Sequence, residues 1–431
     1  MQEEKVILGK NAVYSNDCSK TGINNNIIVC GSSGCGKTMS ISEPRLLETT
    51  ESSLVITVTK RRLVNKYMAL FRERGYEVFD INFTHPRESS CAYDPIKCVK
   101  RYTDIPFLAA AIVNANPKKK NFNTDIYWDS SAESLLSAEI GYVLKMYRKP
   151  SFSDVLDLHS KLRISPDGDG ITTSLDDCFA KLEKLDPTNF AISCWKTFCQ
   201  LPYRTAGCVY SSLNTVIDTI FTPDLKKMIA MEQKINFSQL GRRKTIMFVS
   251  TSPVNPALHS FVNIFYSQLF KELFEYAEEQ PDGRLPIPTH VLCDDFGTGG
   301  QVQNFPEYIS IFREKQISVT LLLQSESQLI STYGETDAVT ILNNADSYIY
   351  LGGMDLRTSQ NISQRLNVPL EDVLYMPVGN EIIFRRGEKP IVTQRYDILN
   401  NPLYRKITEE YDQDLQNRQR QIWGGGDQKE A

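Results

Sequence analysis

Residues 24–44 read NNNIIVCGSSGCGKTMSISEP. The run IIVCG is short, apolar and β-branched, the composition of a strand buried in a sheet. It leads into Gly31-Ser32-Ser33-Gly34-Cys35-Gly36-Lys37-Thr38, which fits the pattern G-x-x-x-x-G-K-S/T with a helix beginning inside it. Glycines let a backbone wrap phosphates closely, and the amides at a helix start point at the anion. Lys37 is placed to reach the outer phosphates, and the Thr38 hydroxyl to ligate Mg²⁺. The same eight residues could form a Gly/Ser surface turn, but the strand directly before them favours a nucleotide loop. Cys35 reads as a small filler inside that loop.

Outward from the loop, strand-like runs recur at 53–58 (SLVITV), 76–83 (YEVFDINF), 245–250 (TIMFVS), 290–294 (HVLCD), 317–323 (ISVTLLL), 347–351 (SYIYL) and 381–384 (EIIF). Several are continuously apolar rather than alternating, as strands covered on both faces are. Helix-length segments separate them, and in 259–279 Phe261, Phe265, Leu269 and Leu273 recur at helical spacing. An α/β fold with a mainly parallel sheet follows. From about 105 to 235 the strand signal fades, and 129–148, 151–162 and 204–221 read as amphipathic helices. Thr222 is placed as an N-cap with Pro223 at the first helical position. The expected organisation is a nucleotide-binding part at 1–104, an inserted all-α block at 105–235, a second nucleotide-binding part at 236–405, and a C-terminal helix with flexible tail at 406–431.

The 431 residues carry a net charge of −4, so no global basic field advertises nucleic acid. Over residues 100–234, 17 Lys/Arg stand against 16 Asp/Glu, which argues against that block being a bulk DNA clamp. The run Lys118-Lys119-Lys120 reads as a solvated loop. Ten cysteines without a C-x-x-C pair and four scattered histidines fit reduced thiols rather than disulfides or zinc. No apolar run reaches membrane-span length, and the opening MQEEKVILGK is not a signal peptide.

A nucleotide-hydrolysing site needs a carboxylate at the end of a nearby strand for the metal and usually a second acid to orient water. THVLCDDFG supplies Asp294 and Asp295 in that position. Further on, Arg313 precedes a strand, and Gln324-Ser325-Glu326-Ser327-Gln328-Leu329, Tyr333-Gly334 and Ile341-Leu342-Asn343-Asn344 follow it. With SSAESLL after Trp128, NISQRLN at 361–367 and KPIVTQRYD at 389–397, the chain resembles the TraG/TraD-like coupling proteins of type IV secretion and conjugation. The likeness runs over roughly residues 7–405.

That resemblance implies a RecA-like P-loop ATPase core that assembles as a homohexamer, takes ATP and Mg²⁺, and uses its all-α domain to select substrate. The implied partners are single-stranded DNA with its relaxase, components of the secretion channel and a membrane-anchored partner. The implied location is the cytoplasmic face of the bacterial inner membrane. Carried over by position, Lys37 and Thr38 hold phosphates and Mg²⁺, and Asp294 is the strand-end acid for the metal. Asp295 is the catalytic acid, Arg313 the finger that reaches a neighbour's nucleotide, and Gln324 the strand-end sensor.

Three departures from the family pattern bear on function. Asp295 stands where relatives usually carry Glu, which shortens the reach by about 1.5 Å and implies slow hydrolysis. VTKRRL at 58–63 keeps Lys60 but puts Arg61 and Arg62 where relatives have Gly-Glu. The exchange predicts added contacts to nucleotide or DNA phosphates, or else a solvated helix start. The membrane helices that open most coupling proteins are missing from this sequence, which fits either a naturally soluble variant or an omitted anchor. Two functions stay open: an ATP-driven motor for single-stranded DNA or relaxase–DNA, and an ATP-binding adaptor with little hydrolysis that docks cargo proteins.

Overall fold

The computed structural model describes residues 3–115, 126–168, 170–252, 255–296 and 301–424. In chain order the strands are β1 (Lys5–Gly9), β2 (Ala12–Ser15), β3 (Ile27–Cys30), β4 (Ser53–Val58), β5 (Glu77–Asn82), β6 (Ile164–Asp167), β7 (Gly170–Thr173), β8 (Thr245–Ser250), β9 (Thr289–Cys293), β10 (Ile317–Leu323), β11 (Ser347–Tyr350), β12 (Asn380–Arg385) and β13 (Ile391–Gln394). One nine-stranded sheet runs β13-β12-β11-β3-β10-β9-β4-β8-β5. Every neighbour from β11 to β5 is parallel, and β12 and β13 extend the sheet antiparallel. The strands β3, β4, β8, β9 and β11 are buried at every position, because helices cover both faces of the sheet. This is the α/β, mainly parallel architecture expected from the apolar runs.

Two hairpins were not anticipated. β1 and β2 pair antiparallel near the amino end and bury Val6, Leu8 and Ala12. β6 and β7 pair inside the segment expected to be wholly helical, turning through Gly168 at φ 55°. Their residues ISPD and GITT are short and mostly exposed, so neither period-2 nor helical patterning marks them. The rest of that segment is helical among the described residues, including Asp104–Asn114, Ile126–Met146, Phe152–Lys161, Tyr203–Ile220 and Pro223–Ala230. The lysine run 118–120 and the tail 425–431 lie outside the described residues.

The chain leaves the sheet after β5 and returns at β8, its neighbour in the sheet. The helical segment is tied back by the long helix Pro256–Glu278, whose Phe261 and Phe265 are fully buried. Phe261 meets Phe83 and Phe221 edge-on at 5.3 and 5.6 Å, and Phe265 meets Tyr93 and Phe237 at 5.2 and 4.9 Å. Such edge-to-face contacts add to area burial. No helix among the described residues is long and apolar enough to cross a membrane.

Because Phe265 joins the two parts of the fold, Phe265→Ala should lower stability by about 3–5 kcal/mol. Thermal unfolding followed by circular dichroism would show it, and a melting temperature within about a degree of wild type would refute this joint.

Candidate nucleotide site

β3 ends at Cys30, and the loop that follows is anchored on both sides. The Gly31 amide donates to the Leu323 carbonyl of β10 at 3.1 Å, and the Ser32 amide to the Gly352 carbonyl beyond β11 at 3.1 Å. Gly34 and Gly36 adopt φ of 78° and 85°, which side chains with a Cβ rarely tolerate. At Gly31 the constraint is space, since a Cβ there would lie 2.6 Å from Cys35 Sγ and 2.9 Å from Leu351 Cβ. Lys37 Nζ folds over the loop and donates to the carbonyls of Gly31 at 2.6 Å and Ser32 at 3.2 Å.

Thr38 opens a π-helical turn, Thr38–Ser42, before the α-helix Glu43–Glu48. Pro44 lacks the N–H that would bond to Ser40, so the turn widens and Glu43 N–H donates to Thr38 O instead. Buried Glu43 then accepts from Tyr67 OH at 2.7 Å and Lys66 Nζ at 3.1 Å, which fixes the loop helix against the helix Arg61–Glu73.

The paired aspartates arrive at the same edge of the sheet. β10 lies between β3 and β9, so the ends of all three strands are adjacent. Asp294 follows β9 directly, and the Asp295 amide donates to its Oδ1 at 3.1 Å. Burial pushes the Asp294 carboxyl up to about 6, and repulsion from Asp295 adds to this, while attraction to Lys37 and Lys60 opposes it. Asp295 takes φ 52°, a left-handed conformation, and Gln324 at the end of β10 donates Nε2 to its Oδ1 at 3.3 Å. Lys37, Thr38, Asp294, Asp295 and Gln324 therefore share one end of the sheet.

Arg313 does not join them. It is exposed near the end of the helix Phe305–Lys315, which feeds the opposite end of β10. A seven-residue strand separates it from Gln324 by roughly 20 Å. It forms no ion pair with a described residue, and it cannot serve the phosphate loop of its own chain.

Of the two arginines after β4, Arg61 is engaged within the chain rather than free for phosphate, while Arg62 is exposed at the helix start, the other outcome the sequence left open. Arg61 makes a bidentate pair with Asp80 of β5 at 2.6 and 2.7 Å and also reaches Ser250 Oγ. Arg62 lies over the Tyr411 ring of the C-terminal helix. The exchange of Gly-Glu for Arg-Arg is thus answered by an acid two strands away, which local sequence does not reveal. His290 is a core residue, bonded to Ser318 and Thr320 and held neutral by burial.

Arg395, within KPIVTQRYD, carries no motif that would assign it a role from sequence. It follows β13, donates Nη2 to the Leu351 carbonyl at 2.8 Å, and places Nη1 3.3 Å from where a Gly36 Cβ would sit. Its guanidinium therefore lies against the phosphate loop on the side away from the aspartates. Behind it, Glu381 on β12 is fully buried and neither oxygen has a hydrogen-bond partner. A Cβ on Gly9 would collide with that carboxylate.

The sequence profile described as "Type IV secretory system Conjugative DNA transfer" matches residues 1–368. The chain belongs to that family. No curated protein sequence matches it. Among solved structures, the bacterial conjugative coupling protein TrwBdeltaN70 in complex with sulphate is similar with a TM-score of 0.68 at 16% identity, over 92% of this chain and 90% of that one. The plasmid coupling protein TrwB with the ATP analogue ADPNP gives 0.68 and 16% over 92% and 89%. VirB4 of Thermoanaerobacter pseudethanolicus gives 0.57 and 12% over 92% and 97%. At these identities the likeness is one of fold, and it agrees with the mainly parallel α/β, RecA-like core that the family resemblance implied.

Two outcomes are expected at the loop. Arg395→Gln should weaken binding of a fluorescent ADP analogue by about tenfold, the loss of one charge-assisted contact, with Arg395→Lys intermediate. Equal affinities in a titration would refute the contact. Burial holds Glu381 up at about 8 against the opposing pull of Arg395. A carboxyl raised in the fold contributes stability that is complete below its unfolded value near 4.5 and is lost as pH rises toward 8. Wild type should lose on the order of 3 kcal/mol between about pH 5 and pH 7.5, and Glu381→Gln should lose less, as denaturant titrations at each pH would show.

Proposed function

We propose that this chain is an ATP-driven coupling protein that recruits single-stranded DNA, or DNA carrying its relaxase, and moves it toward a secretion channel. The observation that carries this reading is the meeting of the phosphate loop with Asp294, Asp295 and Gln324 at one end of the sheet. Membership of the conjugative DNA transfer family supplies the substrate class. The similar structure of TrwB with ADP and Mg²⁺ supports the same cofactors here.

The residues fit a magnesium nucleotide. Asp294 is a buried carboxyl raised by burial and by its acidic neighbour, a combination that a bound cation would relieve. Thr38 and Asp294 are the residues to hold that ion, which when bound neutralises charge on the phosphates. The loop amides and Lys37 orient the phosphate chain, Asp295 draws a proton from the attacking water, and Gln324 positions that water through its bond to Asp295. Arg313, at the opposite end of β10, would complete the site of the next copy in a head-to-tail ring, and the homohexamer implied by the family resemblance is the ring we propose. A guanidinium there would stabilise charge spreading over the transferred phosphoryl group.

A second reading, the ATP-binding adaptor with little turnover, is favoured by one observation. Asp295 is a methylene shorter than Glu, and its Oδ1 already accepts from Gln324. A misplacement of about 1 Å can cost roughly a hundredfold in rate.

ATP turnover measured with and without single-stranded DNA, on protein of recorded oligomeric state, separates the two. The motor should be stimulated several-fold by DNA, and Lys37→Ala should abolish turnover. Turnover clearly above background that Lys37→Ala leaves unaffected would end both readings. Tight ATP binding with background turnover, raised about tenfold or more by Asp295→Glu, would establish the adaptor.

A further inference from the structure

The helical segment carries a cavity of about 600 Å³, well away from the phosphate loop, between the start of the helix Tyr203–Ile220 and the chain around Arg163. Its lining includes Tyr203, Gly207, Tyr210 and Asn214. These stand at i, i+4, i+7 and i+11, so one face of a single helix forms the wall. Arg163 and Arg204 line the same cavity.

Gly207 is the informative residue. It lies inside an 18-residue helix, where glycine is a poor choice. A Cβ added to it would meet nothing within 4 Å, so no packing within this chain asks for glycine. Its lack of a side chain instead opens a gap between two tyrosines. Tyr210 is a fixed platform, because its ring rests on His159 at 5.0 Å, and buried His159 is held by both oxygens of Glu139 at 2.9 and 3.0 Å. Tyr203 is 46% exposed and presents its ring to the outside.

The charges around the gap favour an anion. Arg163 Nη1 is pinned to the carbonyls of Ser160 and Leu162 at 2.8 Å each, which sets the guanidinium on the rim. Neither Arg163 nor Arg204 pairs with a carboxylate among the described residues, whereas many other cations of this segment do, including Lys145, Lys196 and Lys227. The helix also begins with no acidic residue in its first turn and no side-chain cap, so its positive end is uncompensated. Asn214 donates its amide nitrogen to Asp218 at 2.9 Å, which fixes the amide and leaves its oxygen to accept.

We propose that this cavity binds single-stranded nucleic acid, with a base lodged over Gly207 between Tyr203 and Tyr210 and the flanking phosphates at Arg163 and Arg204. Aromatic faces, planar cations and a side-chain amide together are the set that holds an unstacked base and its backbone. An acidic peptide would use the arginines but would leave the two tyrosine faces and the space over Gly207 unused. The proposal rests on the reading of a DNA-handling motor and places a DNA contact outside the nucleotide site.

The test uses the full chain and an oligo-dT strand. Strands carrying 5-iododeoxyuridine should photocrosslink to Tyr203 or Tyr210, as peptide mass spectrometry reads. By fluorescence anisotropy, Tyr203→Ala should raise Kd about fivefold or more, the usual weight of one stacked base. Gly207→Leu fills the gap with a better helix former, so it should weaken binding while its melting temperature does not fall. Arg204→Gln should reduce the salt dependence of log Kd by about 0.7, one phosphate contact on a single strand. Crosslinks confined to other segments, with Kd within about twofold of wild type in all three variants, would overturn the proposal. So would protection of the cavity by a polyglutamate peptide but not by oligo-dT. Lys37→Ala keeps this cavity intact, so loss of turnover in that variant with DNA crosslinking retained separates the two readings.

Discussion

Two neighbouring carbonyls of β10 hold the halves of the site together. Leu323 O accepts from the amide of Gly31, and Leu322 O accepts from the amide of Phe296. The phosphate loop and the paired aspartates are far apart in sequence and not adjacent in the sheet, and these bonds set both against the same strand end. Parallel pairing makes this possible, because every strand from β11 to β5 ends on the same edge. The side chain at that strand end, Gln324, then bonds to Asp295. Backbone register thus fixes how far the glycine-rich loop after β3 stands from the paired aspartates after β9.

One helix connects this edge to the inserted segment. On one side, Tyr266 of Pro256–Glu278 bonds to Thr57 of β4 and lies close to Cys293 and Asp294. On the other, Phe261 and Phe265 interlock with Phe221 and Phe237, at the far end of the inserted segment. These aromatics are fully buried, and interiors packed at crystal-like density transmit displacement rather than absorb it. A shift at the aspartates therefore has a continuous path of packed rings toward the helices that line the proposed nucleic-acid cavity.

The core was legible because its signals are local and physical. Short continuous apolar runs rich in β-branched residues mark strands buried on both faces, and β4, β8 and β10 fall where those runs fall. The phosphate loop was legible because glycine at left-handed φ leaves a fixed spacing. Illegible features depend on partners remote in sequence. Arg61 looked like a free cation because Asp80 meets it only once β5 lies two strands from β4. Arg395 had no reading because its place against Gly36 exists only after β12 and β13 extend the sheet past β11. The hairpins β1–β2 and β6–β7 were missed because strands of four or five residues are too short to establish a period.

Net charge was the least informative quantity, and the structure shows why. A chain at −4 with a balanced helical segment suggests indifference to polyanions. Pairing changes that balance locally. In the inserted segment Lys145 meets Asp186, Lys196 meets Glu183, and Lys227 meets Asp224, so these charges cancel over a few ångströms and project little field beyond a screening length. Arg163 and Arg204 are left facing one cavity, and Lys37 and Arg395 lie against one loop. A polyanion near this surface responds to the unpaired cations within about 10 Å rather than to the sum over the chain. A polyanion held at one such concentrated site has few contacts to break on release, whereas a uniformly basic surface offers many.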